Sequence, residues 1–150
     1  EKDVLNIIVD KSGKVFMSMD NQNDMMTVIQ DMDSKFDLQL TAQEMKKFQT
    51  DPMWGMSLSL LKTYLSLPND KMTEAITGKE AGIPTDSINN GKSEFQEWVT
   101  SVVENTEDIK IAIKADSDTP YANIKKIMSE LQDMDQNRYY LITSLKTGED

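Results

Sequence analysis

Residues 109–114 read Ile-Lys-Ile-Ala-Ile-Lys, a strict apolar/polar alternation that predicts a half-buried β-strand. Downstream the period changes. Tyr121, Ile124, Ile127, Met128, Leu131 and Met134 recur at spacings of three and four, so they share one face of a helix. Residues 138–145, Arg-Tyr-Tyr-Leu-Ile-Thr-Ser-Leu, then read as a second strand. The unit is strand–helix–strand, with its two strands expected to be parallel and its crossover right-handed. At the other end of the chain, residues 4–10 and 14–18 predict a hairpin. Asp10 and Gly13 supply its turn, and Gly13 is suited to a positive φ.

The stretch between reads as helical. Asn23 or Asp24 opens a helix that carries Met25, Met26, Ile29, Met32 and Phe36. Residues 36–40 form a short alternating run, a strand or a linker. Thr41 and Glu44 make a capping box for a helix to about residue 49 that buries Met45 and Phe48. Pro52 and Gly55 break it. Ser57 caps a helix with Leu58, Leu61 and Leu65 inward, and Pro68 ends that helix. Asn69 and Asp70 cap a short helix to Ile76, with Gly78 just past its end. Residues 82–86 are a loop. Ser93 and Gln96 form a second capping box, opening a helix that lines up Phe95, Trp98, Val99, Val102 and Val103.

Together these elements predict an α+β fold: a mixed sheet of about four or five strands with helices mainly on one face. The expected parts are a hairpin over residues 1–19, a helical insertion over 20–92, and an α-β-α-β core over 93–147, all in one domain.

Composition narrows the function. A formal charge of −10 argues against nucleic acid and against anionic lipid headgroups, both of which need a basic face. The chain has no Cys and no His, which removes disulfides, thiolate chemistry, imidazole acid/base catalysis and His–metal sites. No apolar run approaches the ~20 residues of a membrane span. The chain opens on Glu1 rather than Met, as a segment of a longer protein would.

The carboxylates come in pairs, Asp31/Asp33, Asp116/Asp118 and Asp133/Asp135. None sits in a calcium-loop pattern, and most stand at helix ends, where capping is the ordinary role. Lys110 and Lys114 share a strand face with Ala112 and are expected to meet water or a carboxylate such as Asp116. No nucleophile has an evident base beside it. We therefore expect no catalytic residues, no metal and no cofactor, and a binding or scaffold role rather than an enzyme. Eleven Met residues, most of them between Met17 and Met72, fit irregular core packing. Met53, Trp54 and Met56 lie in a probable loop and are candidates for an exposed partner surface. Tyr139, Tyr140 and Leu141 on the last strand are candidates for a partner or dimer edge, although Leu141 and Ile142 are expected to pack against the protein's own helices.

The turn between the C-terminal strand and helix reads Lys114-Ala-Asp-Ser-Asp-Thr-Pro-Tyr121. Thr119 or Asp118 can cap the helix, Pro120 suits its first turn, and Asp116 and Asp118 lie near the positive end of its dipole. The whole string resembles the periplasmic domain of the ExbD/TolR biopolymer-transport family. There a strand ending in Ala-Asp runs into a helix opening with Pro-Tyr, and a last strand carries Leu-Val/Ile-Thr. The matching residues here are Ala115, Asp116, Pro120, Tyr121, Leu141, Ile142 and Thr143, with Thr119 in the cap. The N-terminal hairpin is also similar, and the long insertion looks like a Bacteroidetes-like form. The resemblance covers both ends, roughly half of the chain.

The resemblance implies a preceding single transmembrane helix in the inner membrane, with this domain in the periplasm. It implies a homodimer inside an ExbB/TolQ-like membrane ring. The proton-motive force would there energise a TonB- or TolA-like transducer for transport across the outer membrane. A TolR-like member would bind peptidoglycan instead. The remaining alternative is an unrelated acidic interaction domain.

Overall fold

The structure is a computed structural model that describes residues 3–86 and 91–144. A four-stranded mixed sheet carries helices mainly on one face, an α+β architecture. β1 (Val4–Val9) and β2 (Val15–Ser18) form the hairpin, antiparallel, with Val9 opposite Val15. Its turn is held by Asp10, whose Oδ1 accepts the Ser12 and Lys14 amides, each at 2.9 Å. Gly13 takes φ 91°, where a side chain would be strained.

Five helices of the chain follow the predicted positions closely, and the differences lie at their ends. α1 (Gln22–Phe36) is capped by Asn21 rather than by Asn23 or Asp24, since the Asn21 side chain accepts both of those amides. Residues 37–40 are a linker; Asp37 and Gln39 take positive φ, and Asp33 Oδ1 holds the Leu40 amide at 2.9 Å. α2 (Ala42–Gln49) opens on the Thr41/Glu44 capping box. At α3 (Leu58–Leu65) Ser57 makes no capping bond, because Glu94 Oε1 takes the Leu58 amide at 2.7 Å. α4 (Asn69–Ile76) is preceded by Pro68, whose carbonyl accepts the Lys71 and Met72 amides, so Asn69 and Asp70 lie inside the helix. α5 (Glu94–Asn105) begins at the Ser93/Gln96 capping box.

β3 (Lys110–Asp116), α6 (Tyr121–Asp133) and β4 (Tyr140–Ser144) complete the chain. β3 and β4 are parallel, as the pattern predicts. Leu145 and the expected boundary at 147 lie outside the described residues. The strand order is β2-β1-β3-β4. β1 therefore pairs antiparallel with β2 and parallel with β3, from Val4 opposite Lys110 to Val9 opposite Ala115.

Register decides what each face holds. Leu5, Ile7 and Val9 stand beside Ile111, Ile113 and Ala115, and all six are buried under the helices. Each large aliphatic among them contributes about 1.5–3 kcal/mol through burial. The other face carries Asn6, Ile8, Lys110, Ala112, Lys114, Tyr140 and Ile142. There the lysines are exposed, while small Ala112 is buried between its neighbours. The strict alternation of β3 thus gives one apolar face and one mixed face.

The segment around Trp54 departs from expectation. It is no exposed partner loop: Trp54 is fully buried and Met56 is buried, while Met53 is half-buried. Trp54 exchanges two backbone hydrogen bonds with Met17, both 2.8 Å, and so seals the outer edge of β2. The neighbouring loop adds Gly82 N–H to Gly55 O and Ile83 N–H to Val15 O. Gly55 passes so close to Phe16 that a Cβ there would lie 2.2 Å from its ring. Trp54 then packs with Phe48 and Trp98, with ring centroids 4.8 to 5.6 Å apart. Neither indole N–H has a partner among the described residues, so packing rather than polar contact holds this trio.

Two outcomes test this packing. Trp54→Ala is expected to cost about 3–5 kcal/mol, read by urea unfolding; a cost below about 1 kcal/mol would place the ring at the surface. Glu44 tests the capping box. Burial pulls its carboxyl up, but the Lys62 ammonium at 2.8 Å and the Thr41 amide at 2.9 Å outweigh burial, so the net shift is downward. Its contribution is therefore present above the ordinary carboxylate range and lost as pH falls through the lowered value. Glu44→Ala should cost about 1–2 kcal/mol at neutral pH. The gap to the parent chain should close in strong acid, and a pH-independent gap would contradict the assignment.

Candidate functional site

The acidic corner between β3 and α6 sits where the two ends of the chain meet. Thr119 N–H bonds Asp116 O at 2.9 Å and makes the tight turn. Pro120 occupies the cap position with φ −58° and ψ 136°, and no side chain caps the helix. Thr119 does not cap: its residue is buried and its hydroxyl has no partner among the described residues. Pro120 instead offers its own carbonyl to the Asn123 amide at 3.0 Å. Tyr121, which the helical spacing put on the inner face, is 61% exposed; Ile124, Ile127 and Leu131 carry that face.

Asp116 and Asp118 do not stand open. Lys11, in the hairpin turn, approaches Asp118 at 3.6 Å and Asp116 at 3.9 Å. Asn123 Nδ2 donates to Lys11 O at 3.5 Å, and the same side chain packs against Gly13, where a Cβ would meet it at 3.2 Å. The corner is thus clasped to the hairpin by Lys11, which the sequence reading did not single out. Lys114, the suggested partner of Asp116, points to the mixed face instead and makes no ion pair among the described residues. The exposed Lys11 bridges contribute little energy singly. Their use is positional, since they join turns from opposite ends of the chain.

The last strand also differs from expectation. Leu141 and Ile142 are not packed under helices: they are 45% and 47% exposed, and Tyr140 is 56% exposed. Tyr139, half-buried just before the strand, accepts a hydrogen bond from Gln132 Nε2 on its hydroxyl at 3.1 Å. The reason is position. β4 is an edge strand among the described residues, with β3 on one side only. Edge strands usually carry charge or Pro that blocks further pairing. The residues of β4, Tyr-Leu-Ile-Thr-Ser, carry neither.

Cavities gather along this side. One of about 630 Å³ lies over Ile8, Lys114 and Ile142 at the ends of the parallel strands. A smaller one, about 190 Å³, lies over Ala112, Lys114, Tyr140 and Ile142. A third, about 510 Å³, is lined by Lys110, Arg138, Tyr139 and Tyr140. Elsewhere, a cavity of about 350 Å³ in the insertion contains Asp51 and Tyr64. The Tyr64 hydroxyl donates to Asp51 Oδ2 at 2.9 Å; burial raises the pKa of both groups, and the carboxylate raises that of the phenol further. Among the described residues no three acidic side chains converge in a metal-like cluster, and no helix is long and apolar enough to cross a membrane. No family model, curated protein or solved structure matches this chain.

The exposure of β4 has a direct consequence. Leu141→Glu is expected to leave the protein folded, with stability changed by no more than about 1 kcal/mol. Loss of cooperative urea unfolding in this variant would return Leu141 to the core.

Proposed function

We propose that this domain is the periplasmic part of an ExbD/TolR-like subunit. In this reading it couples the proton-motive force in the inner membrane to a TonB- or TolA-like transducer serving the outer membrane. It works as a homodimer within an ExbB/TolQ-like ring and breaks no bonds. The resemblance carried by Ala115, Asp116, Pro120, Tyr121, Leu141, Ile142 and Thr143 supplies the family.

The observation that supports a mechanical role is the place of β1. It lies between β2 and β3, paired with β3 from Val4 to Val9 and with β2 from Asn6 to Val9. In the proposed role the membrane span precedes β1, so displacement enters the domain along that strand. A pull along a central strand loads both ladders in shear, and all their hydrogen bonds share it at once. A pull on an edge hairpin would open them singly. At the far end of β1 the turn is set against Asp116 and Asp118, and β3 passes the load on to β4 through their parallel ladder. The open edge of β4 is then the output.

The test is made in the native cell envelope with the full-length protein. A photo-crosslinking residue replaces Tyr140. The expected result is a crosslink to a transducer-like envelope protein whose yield falls several-fold when a protonophore collapses the gradient. Crosslinks that are absent, or unchanged by the protonophore, would overturn the proposal.

A further inference from the structure

The three cavities on the β3–β4 side follow one another along the mixed face as a shallow groove, each sharing lining residues with the next. The first two share Lys114 and Ile142, and the second and third share Tyr140. The groove follows β3 and takes in Tyr140 and Ile142 of β4. Its floor is laid down by register: Tyr140 beside Ala112, and Ile142 beside Lys114, with Ile8 beyond Lys114 on β1. Lys114 is therefore a cation set between two isoleucines. At the other end Arg138, the one arginine of the chain, precedes Tyr140 by two residues and lines the same cavity as Lys110.

The acidic groups nearby are placed differently. Asp10 is engaged by turn amides, Asp116 by Lys11, and Asp20 and Asp108 stand on rim loops. Neither Lys114 nor Arg138 has an ion pair among the described residues. In a chain of net charge −10 the groove floor thus sets Ile8, Ala112, Tyr140 and Ile142 beside buried Asn6, with a cation toward each end.

We infer that the open edge of β4 binds an extended acidic–apolar peptide as an added strand, whose side chains on the groove side reach across β4 toward the groove. Two features select a polypeptide. β4 offers backbone donors and acceptors to a fifth strand, and its side chains carry no charge that would block pairing. The side chains then set the sequence. Residues of an added strand that face the groove recur every second position. One apolar residue would lie over Tyr140 and Ile142. Acidic residues two positions to either side would meet Lys114 and Arg138. Two glutamates four positions apart on a strand are separated by about 13 Å. The preferred motif is Glu-x-apolar-x-Glu, with glutamate favoured because the cations stand back from the edge. This inference stands on the groove and the edge, and holds whether or not the envelope role does.

The test titrates the 150-residue chain into a labelled peptide of about nine residues built on Glu-x-Val-x-Glu, followed by fluorescence anisotropy. Saturable binding is expected, weakened several-fold by raising salt from about 0.05 to 0.5 M. A peptide with lysines in place of the glutamates should not bind. Nor should one N-methylated at alternate amides, which keeps its charges but cannot pair on that side. Lys114→Glu and Arg138→Glu should each weaken binding on the order of tenfold without moving the melting temperature. Hydrogen exchange at β4 amides should slow when the peptide is bound. Binding of the N-methylated peptide or of polyglutamate with equal affinity would overturn strand addition. So would no saturable binding, or a dimer in sedimentation that closes the β4 edge to the peptide.

Discussion

The parallel pairing of β1 with β3 is the constraint on which the rest of this structure depends. It joins a strand from the first ten residues to one beyond residue 109. Closing so long a loop costs entropy before any contact repays it. The repayment comes from Leu5, Ile7 and Val9 set beside Ile111, Ile113 and Ala115, a dry apolar face that the helices cover. Shifting either strand by one residue would turn its own three apolar residues outward, and would bring Asn6 inward from β1 or Lys110 and Lys114 inward from β3. The pairing is therefore strongly specified, and the Lys11 clasp on Asp116 and Asp118 lies just past its end.

The two edges of the sheet are treated in opposite ways. Beyond β2 the insertion supplies Trp54, bonded to Met17 on both sides of the peptide, and anchors it in a trio with Phe48 and Trp98. The insertion is also tied inward: Ser101 donates to Asp31 at 2.6 Å, and Lys35 lies 3.3 Å from both Asp31 and Glu104, so α1 and α5 are joined. Beyond β4 no described residue pairs. One closed edge and one open edge give the domain a direction, with the groove and the uncharged strand on the same side.

Much of this was legible in the residues because local chemistry dictates it. The two capping boxes, the Asp10–Gly13 turn and the change of period from two to three or four each act within a few positions. What escaped was set by distance. Trp54 reads as loop because Pro52 and Gly55 flank it and a single bridge has no periodicity. Leu141 and Ile142 read as core because an apolar run does not reveal whether its strand ends up central or at an edge. The clasp could not be seen because Lys11 and Asp116 are brought together only by the β1–β3 pairing. Thr119 looked like a cap because its type favours one, yet Pro120 takes that position and turns the hydroxyl inward.

Native-state hydrogen exchange tests the central claim most directly. If β1 and β3 form the paired centre of the sheet, their amides should exchange last and together, near the rate of global unfolding. Amides of β4 on the side away from β3 should exchange orders of magnitude sooner. Early exchange throughout β1, or β4 amides uniformly as slow as those of β3, would contradict the account.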